Sequence, residues 1–167
     1  ENNSGCYEIA IVNLEVSTTS FPVGYLATLE SCDTDNSNDG FAEFDLTEIS
    51  EQMINQFPTG QNLSVHYFRN LTDAQLEIDE ILPQTNYNNE NAVEQTLYVR
   101  VESEDNNTCF GIGPHLVLKV NPRPEFDVEP AAIYCTNLDP ITLRTYNADG
   151  NYTYEWYDNS GNSIGNE

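Results

Sequence analysis

The sequence predicts an all-β protein, with β-sandwich units set in tandem and short helical insertions between the strands. Three observations carry that prediction. Short stretches of alternating apolar and polar residues recur between turn-rich segments. Helical periodicity is confined to two brief segments. The four cysteines repeat at a fixed interval, since Cys6 to Cys109 is 103 residues and Cys32 to Cys135 is again 103. The flanking text follows the same interval: ENNSGCYEIAIVNLEV returns loosely as EDNNTCFGIGPHLVLKV, and each copy leads to a proline, Pro22 or Pro124, before the next cysteine. A period of domain length is the signature of tandem units. One complete unit then covers residues 21–122, residues 1–20 supply the last strand of a preceding unit, and residues 123–167 begin a following one.

In chain order, residues 7–16 read as an extended strand whose partners lie in the preceding unit, because an open edge of that kind is a pairing hazard. GFAEFDL (40–46) alternates and reads as a strand. LTEISEQMINQF places Ile49, Met53, Ile54 and Phe57 on one helical face and is stopped by Pro58 and Gly60. LSVHYF (63–68) is a strand, and Thr72-Asp-Ala-Gln75 has the spacing of a capping box that starts a single helical turn. Tyr98, Arg100 and Glu102 alternate with Leu97, Val99 and Val101, giving a half-buried strand with one apolar face. Residues 105–108 turn the chain back into CFGIGPHLVLKV, where Pro114 implies a bulge or an edge position. ITLRTY (141–146) and YTYEWY (152–157) are further strands, the second closed by the turn Asp158-Asn-Ser-Gly161. Many short strands with few helices make a sandwich the natural architecture.

The chain has five Lys+Arg against 28 Asp+Glu among 167 residues, a formal charge of −23. Such a surface repels nucleic acid and anionic membranes and attracts cations. Apolar content of 38%, with ten Tyr and seven Phe, is enough to build a core. Nothing approaches the ~18 apolar residues of a membrane helix. Sequons at Asn2, Asn62, Asn70, Asn106 and Asn151 are expected by chance in so Asn-rich a sequence and do not establish glycosylation.

Four cysteines allow three pairings. A strand rises about 3.3 Å per residue, so in an end-to-end array Cys6 and Cys32 are expected tens of ångströms apart, whereas a disulfide needs Cα atoms within ~7 Å. That favours Cys32–Cys109 inside one unit, with Cys6 and Cys135 pairing with cysteines outside this stretch of chain. The alternative is four free thiols in a reducing compartment. An even count favours an oxidising, extracytoplasmic setting.

CDTDNSNDGFAEFDLT, LSVHYFRNLTDAQ, TLYVRVESEDNNTCF and LVLKVNPRPEF, in that order over residues 21–122, resemble the Ig-like or PKD-like tandem repeats of large Bacteroidetes cell-surface adhesins. Those adhesins are exported by the type IX secretion system, and several are linked to gliding motility. YCTNLDPITLRTYNADGNYTYEWYDNSGNSIG resembles a second Ig-like repeat of the same proteins. The resemblance implies a secreted or outer-membrane-associated stalk with within-unit disulfides and neighbouring repeats of the same polypeptide as its first partners. Surface polysaccharide and other cell-surface proteins are the further partners it implies.

The loop at residues 33–45 is a candidate calcium site. Calcium takes six to eight hard oxygens, often from alternating loop positions with a glycine at the sharp turn. Asp33, Asp35 and Asp39 supply carboxylates, Asn36 or Asn38 a carbonyl oxygen, Asp45 or Glu43 a closing carboxylate from the strand, and Gly40 the turn. Ser37 and Leu46 stand where an EF-hand needs other ligands, so the pattern fits in part, and a solvated Asx turn is the alternative.

No catalytic constellation is expected. The only histidines, His66 and His115, read as surface or packing residues, and no Cys/His spacing suits zinc. The rival to a spacer is a carbohydrate-binding module of a secreted polysaccharide-degrading protein. Tyr152, Tyr154 and Trp156 alternate onto one strand face, which is either core or a platform for sugar rings.

Overall fold

The computed structural model describes residues 9–11, 20–35, 37–105, 110–128, 142–146 and 152–166. In chain order it forms β1 (Ala27–Cys32), β2 (Glu43–Phe44), a 3₁₀ turn (Leu46–Ile49), α1 (Ser50–Ile54), β3 (Leu63–Phe68), α2 (Leu71–Leu76), β4 (Tyr87–Asn88), β5 (Glu94–Ser103) and β6 (Phe110–Asn121). Four short strands follow: β7 (Asp127–Val128), β8 (Thr145–Tyr146), β9 (Glu155–Tyr157) and β10 (Ser163–Asn166). The fold is all-β and sandwich-like, as the alternating patterns predict.

The principal sheet has the order β1-β6-β5-β3. β3, β5 and β6 are antiparallel neighbours, while β1 runs parallel to β6. Side chains alternate across a pleated strand, so Val65, Tyr67, Leu97, Val99, Val101, Leu116, Leu118 and Val120 all fall on one buried face. The opposing layer is not a second full sheet. It is the two-stranded β2–β4 ribbon, which pairs Phe44 with Tyr87, together with the 3₁₀ turn and α1. From that layer Phe44, Leu46, Ile49, Met53, Phe57 and Tyr87 close the core. The helical face expected over residues 46–57 therefore points inward, with Ile54 at its half-buried margin.

Several expectations change in detail. The strand expected at 40–46 shrinks to β2, because Asp45 caps the 3₁₀ turn by accepting from the Thr47 amide at 2.9 Å and from its hydroxyl at 2.5 Å. α2 begins before Thr72, with Asn70 as its N-cap. Among the described residues of the two late strands, 145–146 and 155–157 pair, with β7 and β10 respectively. β1 itself is weakly patterned and was not expected as a strand. Pro114 does lie at a bulge: Leu97 pairs with Leu116 but Val99 with Gly113, so Pro114 and His115 together face one residue of β5. β1 first pairs with β6 at Leu116, which leaves Pro114 with no neighbour on that side. The strand expected at 7–16 falls largely outside the described residues.

The second face of the sheet is covered too. Arg100, read from alternation as solvent-facing, is 2% exposed beneath α2. Its guanidinium donates to the Ala74 carbonyl at 3.0 Å and to Glu77 Oε1 at 2.5 Å, and it also pairs with Glu102.

Candidate functional site

β1 and β6 end together. Cys32 lies in register with Asn121, and the Asp33 amide continues the pairing by donating to the Asn121 carbonyl at 2.9 Å. The acidic loop at 33–40 and the linker leaving β6 therefore emerge side by side. Asn38, in the left-handed region at φ 52, ties them together. Its Oδ1 accepts from the Arg123 amide at 2.8 Å, and its Nδ2 donates to the Arg123 carbonyl at 3.2 Å and to Glu125 Oε1 at 2.9 Å.

Gly40 closes the loop at φ 83, and a Cβ there would stand 2.7 Å from the Val93 backbone nitrogen, so the position needs glycine on both counts. Its carbonyl accepts from the Val93 amide at 2.8 Å and from Asn89 Nδ2 at 2.9 Å. Asn89 is buried and also accepts from the Ala42 amide at 2.7 Å. No sequence pattern points to Asn89, whose role depends on a contact 49 residues away.

Among the expected calcium ligands, Asp33, Asp35 and Asp39 come together, with one carboxylate oxygen from each lying within 4.8 Å of the others. Asp33 is 1% exposed; its Oδ2 accepts from the Gly40 amide at 2.8 Å, while its Oδ1 has no hydrogen-bond partner among the described residues. Asp35 accepts from the Ser37 hydroxyl and amide, which hold its carboxyl below the usual range, and Arg123 adds a weaker favourable charge. Asp39 Oδ1 accepts from the Phe41 amide at 3.1 Å. Asp45 is not in the cluster, being committed to the cap of the 3₁₀ turn. Asn36 lies outside the described residues.

The expected cysteine pairings fall largely outside the described residues. Of the four, only Cys32 is among the described residues, and its thiol is exposed and free. Cys109 lies outside them, but the next residue, Phe110, begins β6, and Cys32 sits beside the other end of that strand at Asn121. Eleven strand steps of about 3.3 Å put those ends roughly 35 Å apart. The Cys32–Cys109 pairing expected within the unit falls on a residue that is not described. Cys6 and Cys135 also lie outside the described residues.

His66 is held between Glu80 Oε1 at 2.9 Å and Ser64 Oγ at 3.0 Å. His115 packs its ring on Phe21, with centroids 4.0 Å apart, and its Nδ1 contacts the Tyr25 carbonyl at 2.8 Å. Tyr152, Tyr154 and Trp156 are half-buried along one face. Tyr152 meets Tyr154 at 85° and Phe126 meets Tyr154 at 75°, an edge-to-face cluster rather than a flat platform.

Searches of curated proteins and of solved structures returned no match. One family model, described as the Flavobacterium inter-domain disulphide bond domain, matches residues 28–124, from the first residues of β1 to the linker beyond β6. That span exceeds half of the chain and takes in Cys32, the acidic loop and all of the principal sheet but Ala27; the chain belongs to the Flavobacterium inter-domain disulphide bond domain family.

Proposed function

We propose that this chain is a non-catalytic spacer of a secreted or cell-surface adhesin in Bacteroidetes, joined to its neighbours by disulfides between units rather than within them. The observation that carries the reading is the polarity of the sheet, with Cys32 at the end where β6 stops and the linker begins. In a head-to-tail array, the following unit presents the start of its own β6 near that end. By the 103-residue period, a cysteine equivalent to Cys109 stands just before that strand. Cys32 of one unit then bridges to that cysteine of the next, and Cys109 to a Cys32-equivalent of the preceding unit. Each junction so stapled resists bending and proteolysis, which suits a stalk that presents adhesive regions to polysaccharide or to other cell-surface proteins. Disulfides persist in oxidising compartments, which favours an extracellular, outer-membrane-associated location after export by type IX secretion.

Thermal unfolding of the parent polypeptide with and without reductant tests this. A bridge within the unit would close a loop of about 77 residues and stabilise it by about 4 kcal/mol on the chain-entropy model. A bridge between units leaves the melting of each sheet nearly unchanged while limited proteolysis of the junctions accelerates. A large loss of unit stability on reduction, with junction cleavage unaffected, contradicts the proposal.

A further inference from the structure

The Asp33 carboxylate is an unfinished piece of electrostatics. Its Oδ1 is buried without a donor, and Asp35 and Asp39 bring further carboxylate oxygens within 4.8 Å of it. A buried acceptor left unsatisfied is destabilising, and more so when charged. Among the described residues no hydrogen-bond donor meets that oxygen, and two facing carboxylates are reconciled only by a shared proton or by a cation. A formal charge of −23 over the chain raises the local concentration of cations. The donor set is all hard oxygen, the chemistry of calcium. Two oxygens facing each other across a calcium ion at about 2.4 Å are about 4.8 Å apart, so the cluster fits around one ion. A cavity of about 170 Å³ lined by Asp33, Asn38, Asp39, Gly40, Val120 and Pro122 gives access from the linker side.

We propose that Asp33, Asp35 and Asp39 bind a calcium ion and that the bound ion stiffens the joint to the following unit. The coupling runs through Asn38, which lies between two of the ligands and makes three hydrogen bonds to Arg123 and Glu125 of the linker. Fixing Asp35 and Asp39 on one ion fixes Asn38, and Asn38 holds the linker. The site stands apart from the disulfide reading, because it needs no cysteine.

Calcium titration of the full chain, followed by calorimetry, thermal melting and hydrogen exchange, tests both halves. Binding is expected in the range of extracellular calcium modules, a Kd of about 0.1–1 mM, together with a raised melting temperature relative to EGTA. Exchange of the Arg123 amide is expected to slow severalfold. Asp35 and Asp39 are exposed, so the double variant Asp35→Asn/Asp39→Asn should keep its fold by circular dichroism and lose about tenfold or more in calcium affinity. Magnesium, which dehydrates reluctantly and demands near-octahedral geometry, is expected to bind more weakly. Absence of calcium binding, or binding undiminished in the double variant, overturns the site. Binding that leaves Arg123 exchange unaltered overturns its role at the joint.

Discussion

Arg100 shows how far a single side chain departs from its pattern. Alternation puts it on the polar face of β5, yet α2 covers that face, and the guanidinium is buried with Ala74, Glu77 and Glu102 around it. Periodicity reports which face a residue is on, not what lies over that face, and α2 is too short and too polar to advertise its packing. Arg100→Ala removes the charge from a dry site and strips the Ala74 carbonyl of its donor, so it is expected to cost roughly 3 kcal/mol in urea unfolding. Arg100→Lys keeps charge but loses the fork, and should fall between the two. Tyr67 supplies the complementary case on the other face. It is fully buried, with its hydroxyl 3.0 Å from Ser50 Oγ, and burial pushes its phenol from 10.0 up to about 12. The folded state therefore favours the neutral form, and the stability it confers is complete below pH 10. It declines as pH rises from 10 to 12, by roughly 3 kcal/mol in all at about 1.4 kcal/mol per unit. Tyr67→Phe should lose about 1 kcal/mol at neutral pH and show a flatter alkaline limb; parallel profiles for the two proteins would contradict the assignment.

At the scale of elements, strongly patterned segments were legible and weakly patterned ones were not. LSVHYF matches β3 end to end, and the alternation at 97–102 lies within β5, because there one face is continuous core. β1 was missed because its alternation is shallow: Ala27 is buried, but Leu29 is only half-buried and Cys32 exposed, the profile of an edge strand. β2 was overextended because apolar residues at 41–46 serve three purposes: Phe41 is exposed, Phe44 packs in the ribbon, and Leu46 enters the 3₁₀ turn. The start of α2 was misplaced by two residues because both Asn70 and Thr72 are good caps; Asn70 prevails by accepting from the Asp73 amide at 3.0 Å and donating to its carboxylate at 2.6 Å. Asn70→Ala is expected to cost about 1 kcal/mol. Because α2 also carries the Ala74 carbonyl that Arg100 engages, combining Asn70→Ala with Arg100→Ala should cost less than the sum of the two. Strict additivity in a double-mutant cycle would uncouple the cap from the buried guanidinium.

For the whole molecule, the sequence period raises the expectation of a repeat but says nothing of the polarity of its sheet. Parallel or antiparallel pairing of β1 with β6 leaves no trace in composition, so the end of the sheet at which Cys32 lies could not be read from spacing. The parallel register sets Cys32 at the end where β6 stops, opposite the end where β6 starts at Phe110. The acidic loop was legible as a cluster of Asp33, Asp35 and Asp39, since those residues are close in sequence. What was not legible was the burial of Asp33 or the grip of Asn38 on residues 123 and 125, because both depend on β6 returning beside β1. Sheet polarity, cysteine and linker thus converge on one end of the unit, and the family description as an inter-domain disulphide bond domain agrees with that convergence. A non-reducing peptide map of the parent polypeptide by mass spectrometry tests the account most directly. The prediction is a crosslinked pair joining the Cys32 peptide to the peptide that precedes the last sheet strand of the following unit. A crosslink between Cys32 and Cys109 of the same unit would contradict it.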